Sequence, residues 1–200
     1  MIQSIEALRR VYTAPKGRAV QKQIDHIDVH CARFIGLSPF VVFASGNVQG
    51  ALDASPRGGA PGFVRVADAH TLLIPDSPGN NRLDTLTDII ATGSVGLLFM
   101  IPGVDETLRV NGRARLNDDI SILSTFADDK RTPKLVIEIT VLDAYLHCAK
   151  AFMRSQLWSP ASVVDRAVLP TMGEMLSDQT GMSGAPETQA EMRARYAVDF

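Results

Sequence analysis

The segment TLRVNGRARL (residues 107–116) constrains the fold more than any other part of the chain, because polar and apolar or small residues alternate along it. A period of two over ten residues predicts a β-strand with one buried face and one polar face. A half-buried strand of this kind is typical of antiparallel sheets. The polar side carries Thr107, Arg109, Asn111, Arg113 and Arg115.

Other short apolar runs bring the total to about seven predicted strands. Gly46 and Asn47 separate two of the runs, which predicts a hairpin. Residues 55–62 (SPRGGAPG) are too rich in Pro and Gly for regular structure. Sequential strands with short links favour a mainly β chain with flanking helices (α+β), folded as an antiparallel barrel or sheet, over a parallel α/β fold. The other strand runs are residues 40–45, 48–55, 62–66, 71–75, 95–102 and 134–141.

Helical spacing marks both ends of the chain. We predict N-terminal helices over about residues 1–37, with an amphipathic helix from about 18 to 35. We also predict a helical tail over about residues 146–200, and no linker separates it from the rest. We therefore expect a single domain over residues 1–200. The remaining predicted helices cover residues 82–93 and 118–126, and those within the tail cover 147–158, 171–181 and 187–196.

Composition excludes several classes of protein. With 46% hydrophobic residues the chain has enough apolar surface for a core, and a net charge of −2 argues against a nucleic-acid-binding surface. No apolar run approaches the roughly 20 residues that span a bilayer. Two cysteines without a CxxC pattern exclude a disulfide framework. We expect a reduced, cytoplasmic protein that binds neither nucleic acid nor membrane.

Two loops carry groups suited to an anion. Arg57 and Ser55 lie in the Pro- and Gly-rich segment, and Asn80, Asn81 and Arg82 stand where a helix begins. Unpaired N–H groups at a helix N-terminus attract phosphate, and planar guanidinium groups bind it bidentately. An Asn cap with two converging arginines would form a phosphate clamp. The alternative is an ordinary helix cap beside a solvated arginine.

Other candidate sites are less specific. Thr107 could present donor and acceptor groups to a planar ligand, or belong to a solvated face. His26 and His30 have a helical spacing compatible with a metal, but we favour a solvated face and expect no metal site. Trp158 could share a helix face with Arg154 and Lys150 and contact a ligand, or it could anchor the tail to the core.

Common catalytic motifs are missing from the sequence. Cys148 lies in no nucleophile motif, and we expect an inert, partly buried thiol. The sequence contains no GxSxG, P-loop or GxGxxG signature. A reaction that depends on a protein nucleophile is therefore not indicated.

The ordered set SPRG, PGNNR and RVNGRA, within GALDASPRGGAPGFVRV, TLLIPDSPGNNRLDTL and VGLLFMIPGVDETLRVNGRARL, resembles the pyridoxamine 5′-phosphate oxidase-like flavoproteins. More narrowly, it is similar to a bacterial branch of FMN-dependent enzymes. The resemblance implies an antiparallel split β-barrel of the FMN-binding type and a homodimer with FMN at the subunit interface. It also implies the cofactor-binding residues Ser55, Pro56, Arg57, Pro75, Asp76, Asn80, Asn81, Arg82, Thr107, Arg154 and Trp158.

Within that set the resemblance assigns roles. A basic residue at the position of Arg82 binds the FMN phosphate in the family, and Thr107 matches a polar residue that contacts the flavin ring. Arg154 and Trp158 correspond to tail residues supplied by the partner subunit. Gly59 stands where many related sequences have Asp.

The resemblance implies an FMN-dependent oxidoreductase that moves electrons or hydride between a small substrate or NAD(P)H and an acceptor. The substrate-binding pattern of true pyridoxamine phosphate oxidases is not clearly present in the C-terminal region, so vitamin B6 oxidation is not assigned. The alternatives are a non-catalytic flavin- or haem-binding module, a deazaflavin-dependent reductase on the same barrel, and a structural protein without a ligand.

Overall fold

The computed structural model describes residues 1–77, 79–126 and 132–197. Pro78, which belongs to the predicted loop 76–82, lies outside the described residues. Seven strands form one antiparallel sheet in the order β2-β1-β5-β6-β7-β4-β3 across the described part of the chain. Their bounds are β1 (Phe40–Gly46), β2 (Leu52–Gly58), β3 (Arg65–Asp68), β4 (Thr71–Pro75), β5 (Ser94–Met100), β6 (Thr107–Asn117) and β7 (Val136–His147).

This sheet confirms the predicted split-barrel class. At its centre, β6 pairs with β5 on one side and with β7 on the other. It does not close, since β2 and β3 are the two edges. Side chains from one face fill the core, and the fully buried ones include Val41, Phe43, Phe99, Leu108 and Ile137.

Eight α-helices in the described residues flank the sheet. Helix α4 packs across β1, β2, β5 and β6 and buries Leu86 and Ile89 against the core. The eight helices are α1 (Ile5–Val11), α2 (Arg18–Gln21), α3 (Val29–Leu37), α4 (Asp84–Thr92), α5 (Ile120–Leu123), α6 (Lys150–Ser155), α7 (Met172–Thr180) and α8 (Gln189–Tyr196). None of the described helices combines the length and apolarity that a bilayer crossing requires.

The prediction of one helix over residues 18–35 is wrong. After α2 the chain extends, and Ile24 forms an isolated antiparallel bridge with Ala144 of β7. Asp28 then starts α3 by accepting hydrogen bonds from the backbone N–H groups of His30 and Cys31. The apolar spacing reflects burial of Ile27, Cys31 and Ile35 on separate local structures rather than one continuous helix face.

The strand prediction around the first hairpin also needs correction. Strands β1 and β2 are joined by residues 47–51, and Gly46 pairs with Leu52. Strand β2 continues through Pro56 to Gly58, because an edge strand tolerates a residue without a backbone N–H. The Pro- and Gly-rich segment therefore begins in regular structure and becomes a loop only after Gly58.

The polar face of β6 is used for cross-strand contacts. Arg115 donates to Glu138 of β7 at 2.6 Å, and Arg113 donates to the carbonyl of Thr92 at the end of α4 at 2.7 Å. Gly112 occupies a register shift between β6 and β7, where a Cβ atom would lie 2.4 Å from the carbonyl oxygen of Thr140. Only glycine fits this bulge without moving the backbone of β7.

Candidate functional site

The core-facing side of edge strand β2 carries three polar residues in succession. Asp53, Ser55 and Arg57 pair with Ser45, Phe43 and Val41 of β1. Directly opposed residues point to the same face of a sheet, and both Phe43 and Val41 are fully buried. The three polar side chains therefore line the open side of the barrel, close to helix α4.

Arg57 reaches the other end of the sheet. Its Nη1 donates to the Oδ1 atom of Asp76, directly after β4, at 3.1 Å, and these side chains are only 18% and 20% exposed. The guanidinium lies 5.9 Å from the centroid of the Phe43 ring. The Nε atom of Arg57 is buried and has no acceptor among the described residues. A buried donor without an acceptor costs about 1–3 kcal/mol, so the site gains free energy if the Arg57 side chain turns to bring this nitrogen to an anionic acceptor.

Asp53 accepts hydrogen bonds from two hydroxyl groups. Its Oδ2 atom accepts from Ser55 Oγ at 2.8 Å and from Thr85 Oγ1 of α4 at 2.5 Å. Thr85 lies in the first turn of α4, and its side chain is buried, with 3% exposed. The cluster of Asp53, Ser55 and Thr85, hereafter the hydroxyl cluster, joins β2 to the first turn of α4.

The segment before α4 differs from the predicted Asn cap. The cap position is Leu83, with φ of 59°, and no side chain caps the helix. Asn80 instead accepts a hydrogen bond from the backbone N–H of Arg82 at 3.1 Å, and Asn81 has φ of 61°. Two non-glycine residues in the left-handed region give this loop a tight and strained course.

Arg82 extends into solvent from this loop. Its Nε atom donates to Asp84 Oδ2 at 2.7 Å, and the Arg82 side chain is 75% exposed. Exposed pairs of this kind contribute about 0–1 kcal/mol, so Arg82 can exchange its carboxylate for another anion at little cost.

A groove of about 480 Å³ lies between the 47–51 turn and α4. Arg82 lines it together with carboxylates that are already hydrogen-bonded, and Asp88 accepts from Ser45 at 2.9 Å inside the protein. Arg57 does not line this groove and lies on the far side of the hydroxyl cluster. The full lining is Asn47, Val48, Gln49, Ala51, Leu52, Asp53, Arg82, Asp84, Thr87, Asp88 and Ala91.

The structure brings parts of the predicted site together within a single chain, in two separate groups. Arg57 contacts Asp76, and Ser55 is linked through Thr85 to the helix that follows Asn80, Asn81 and Arg82. Pro56 lies on β2 and Pro75 ends β4. Because neighbouring strand residues point to opposite faces, both point away from the core, unlike Arg57 and Ile74 beside them.

Thr107 does not join this group. Leu108 pairs with Phe99 on the buried face, so Thr107 points to the opposite face of the sheet from Arg57. Thr107 is 4% exposed and pairs with His147 at the end of β7. The solvated-face alternative is therefore wrong for Thr107.

The tail residues also lie apart from Arg57. Trp158 follows α6, stacks on Phe152 with ring centroids 5.6 Å apart, and donates from Nε1 to the carbonyl of Val104 at 2.9 Å. Arg154 donates to the carbonyl of Lys150 rather than facing the indole ring. Within one chain Trp158 anchors the tail to the β5–β6 connection.

No group of three or more suitable metal ligands occurs within residues 1–77, 79–126 and 132–197. His26 and His30 do not share a helix: His26 contacts Asp25 before α3, and His30 lies in the first turn of α3. Burial raises the pKa of the Cys31 thiol to about 11. Cys148 is exposed, so the expectation of a partly buried thiol there is wrong.

Asp53, Thr85 and Asp88 were missed by the sequence interpretation. The alternation Asp53, Ser55, Arg57 could have revealed Asp53, because a strand through residues 52–58 places all three on one face. Thr85 carried no comparable signal, since its contact with Asp53 spans 32 positions of the chain.

A family model described as pyridoxamine 5′-phosphate oxidase matches residues 27–148, which is more than half of the chain. Among solved structures, HupZ of Group A Streptococcus aligns with a TM-score of 0.51 at 16% identity, covering 60% of this chain and 93% of that chain. A variant of the same protein aligns with a TM-score of 0.50 at 17% identity, covering 60% and 99%.

General Stress Protein 26 from Bacillus anthracis aligns with a TM-score of 0.42 at 15% identity, covering 59% of this chain and 94% of that chain. No curated protein matches the sequence. At these identities the structural likeness concerns the fold alone.

Proposed function

The chain belongs to the pyridoxamine 5′-phosphate oxidase family, and we propose that it binds FMN and acts as an FMN-dependent oxidoreductase. The observation that carries this proposal is the Nε atom of Arg57, which is buried without an acceptor among the described residues. A phosphate group supplies the missing acceptor, and its charge matches the guanidinium.

We assign Arg57 and Arg82 to the phosphate. Arg82 lines the groove beside Asp53 and Arg57 does not, so the assignment requires the exposed Arg82 side chain to turn towards Arg57 when phosphate binds. Asp76 holds Arg57 in place through Nη1, and Nε has no acceptor among the described residues. Arg82 is the second cation, and it can exchange Asp84 for phosphate at little cost because its pair with Asp84 is largely solvated. Asn80, Asn81 and Pro75 supply the loop and the strand end around this position, and Pro56 lies on the adjacent edge of β2.

FMN, when bound, supplies two-electron redox chemistry through its ring, so the protein needs no nucleophile of its own. The chain's contribution is to bind the phosphate, orient the ring and exclude water. The proposed reaction moves electrons or hydride between a small substrate or NAD(P)H and an acceptor.

We further propose a homodimer. The outer face of β1 and β2, on the side away from the core, carries exposed apolar residues, including Leu52, which is 87% exposed, and Ala44, Ala54 and Pro56. An apolar sheet face of this kind is typical of an interface between subunits. The proposed partner would supply Arg154 and Trp158, which the resemblance assigns to the other subunit and which lie apart from Arg57 within one chain.

The experiment is a titration of the flavin-free protein with FMN, followed by flavin fluorescence and compared with haem and a deazaflavin. We expect FMN to bind most tightly and Arg82→Ala to weaken it about 3–10-fold, which corresponds to a solvated charge contact of about 1 kcal/mol. Arg115→Ala is the matched control, because Arg115 is also an exposed arginine paired with one carboxylate.

Tighter binding of haem or of the deazaflavin would contradict the FMN assignment. Equal effects of Arg82→Ala and Arg115→Ala would remove Arg82 from the phosphate site. To test for catalysis, NADH and NADPH are added to the FMN complex. Bleaching of the flavin absorbance by either donor supports an oxidoreductase, and its absence with both favours a binding module.

A further inference from the structure

We propose that residues 159–197, hereafter the arm, cross to a second copy of the chain and bury their apolar side chains on the outer face of its sheet. This inference rests on the proposed homodimer and names the segment that holds the two copies together. The arm lies beyond residues 27–148, which the family model matches, so the common fold of the family does not account for it.

The arm has a defined local structure. Helix α7 begins with a capping box, in which Thr171 accepts from the backbone N–H of Glu174 and Glu174 accepts from the backbone N–H of Thr171. Helix α8 begins with the same pair of contacts. The two helices pack on each other, and a Cβ atom on Gly173 would collide with the backbone of Glu187. The sequence therefore specifies two capped helices rather than an unstructured extension.

The arm nevertheless has no core of its own. No residue from 159 to 197 is buried, and every residue from 160 to 170 is exposed. Helices α7 and α8 have nine and eight residues, and isolated helices shorter than about 12–15 residues are marginally stable in water. They need another surface on which to bury apolar side chains. The exposed apolar residues of the arm include Val163, Val164, Val168, Leu169, Leu176 and Met182.

The accessible surface of the whole chain matches the need of a dimer. The chain exposes 13584 Å², whereas a compact monomer of 21.6 kDa exposes about 9,200 Å². The excess is about 4,400 Å² per chain. If each copy buried half of its excess, the two would bury about 4,400 Å² in total, within the range of about 2,000–5,000 Å² for obligate homodimers. We therefore assign a second copy as the partner of the arm.

The outer face of the sheet offers the receiving surface. Phe40 and Val42 of β1 lie opposite Met100 and Leu98 of β5. These four residues alternate with fully or nearly fully buried core residues along their strands, so they point away from the core. Each is only partly buried within one chain. This uncharged apolar surface suits the valine and leucine side chains of the arm and continues the face already proposed as the subunit interface.

The arm starts at the rim of that face. Trp158 donates from Nε1 to the carbonyl of Val104 at 2.9 Å, in the connection that follows the end of β5 at Met100. Phe40 lies opposite Met100, so this connection borders the apolar outer face. Neither α7 nor α8 packs on the sheet of its own chain as α3 and α4 do within the described residues. From this rim the two arms can be exchanged about a two-fold axis.

The first test measures the dissociation constant of the full-length dimer by analytical ultracentrifugation. Val168→Asp and Leu169→Asp should each raise it by about 10–150-fold, because each loses the burial of one apolar side chain. Ile90→Asp is the matched control and should leave the constant unchanged. Ile90 is also an exposed apolar residue, and it lies on α4, which packs on the opposite face of the sheet.

The second test uses the unmodified protein and identifies what covers the arm. Hydrogen exchange of α7 is measured above and below the dissociation constant of the dimer. If a second copy covers the arm, the α7 amides are protected in the dimer and exchange faster on dilution. Protection that does not depend on protein concentration would place the arm on its own chain and overturn the inference. Lack of protection at every concentration would also overturn it.

The inference and the proposed function fail in different ways. If Val168→Asp and Leu169→Asp dimerise like the wild type, the arm is not part of the interface, although the homodimer stands. If the wild-type protein is monomeric at every concentration, the homodimer and the arm contact are both refuted. FMN affinity, measured separately by flavin fluorescence, tests the cofactor assignment independently of either result.

Discussion

Replacement of Arg57 by alanine should separate cofactor affinity from stability. The variant loses a charge-assisted hydrogen bond to the phosphate, and contacts of this type contribute about 1.5–3 kcal/mol. At about 1.4 kcal/mol per factor of ten, FMN affinity should fall about 10–150-fold. Riboflavin affinity should stay within about twofold of the wild-type value. Fluorescence titration of the flavin-free protein with both ligands measures the two effects.

Arg57→Ala also leaves the carboxylate of Asp76, which is 20% exposed, without its partner. Removing one member of a largely buried pair destabilises the fold by about 1–3 kcal/mol. The double variant Arg57→Ala/Asp76→Asn removes that uncompensated charge and should recover most of the stability in a thermal melt. It should not recover FMN affinity, because the cation remains absent.

Wild-type FMN affinity in Arg57→Ala would refute the assignment of the phosphate to this residue. An equal loss of FMN and riboflavin would also refute it, because the effect would then follow from general damage to the site. Recovery of FMN affinity in the double variant would show that Asp76, rather than Arg57, controls binding.

Three further outcomes follow from the fold. Gly112→Ala should lower the free energy of unfolding, measured in a thermal melt, by about 1–3 kcal/mol, because the added Cβ atom collides with β7. Gly36→Ala is the control and should not destabilise the protein, because the space around Gly36 is open. A thiol reagent should label Cys148 in the native protein and the buried thiol only after denaturation, and two labels on the native protein would contradict the burial. Hydrogen bonding from Arg115 lowers the pKa of Glu138 from its ordinary value of 4.5. The free energy of unfolding of the wild type should therefore exceed that of Glu138→Gln by about 0.5–1 kcal/mol at neutral pH. That advantage should vanish as the pH falls below about 4.5, and a pH-independent difference in unfolding free energy would contradict it.

The strands could be predicted because their signal is local. Alternation over residues 107–116 requires only neighbouring positions, and β6 spans Thr107–Asn117. The helix predicted over 18–35 failed because its breaks are tertiary: Ile24 pairs with Ala144, which is 120 positions away in the chain. Helical spacing of apolar residues does not reveal such a long-range bridge.

The same contrast holds for the candidate site. Arg57 stood out through its loop-like sequence, although it lies on a strand and owes its orientation to Asp76, 19 positions away. Ile90 fitted the apolar stripe of α4 but is 77% exposed, since the helix buries only one side against β1. The hydroxyl cluster depends on α4 crossing β2, which no local pattern could indicate.

Native mass spectrometry of the purified protein, with its small molecules retained and then released by heating, tests the central claim most directly. The account predicts a dimer that carries one FMN per subunit and that loses FMN retention in Arg57→Ala. A protein that retains haem or a deazaflavin instead, or that takes up no FMN when it is added in excess, would contradict it.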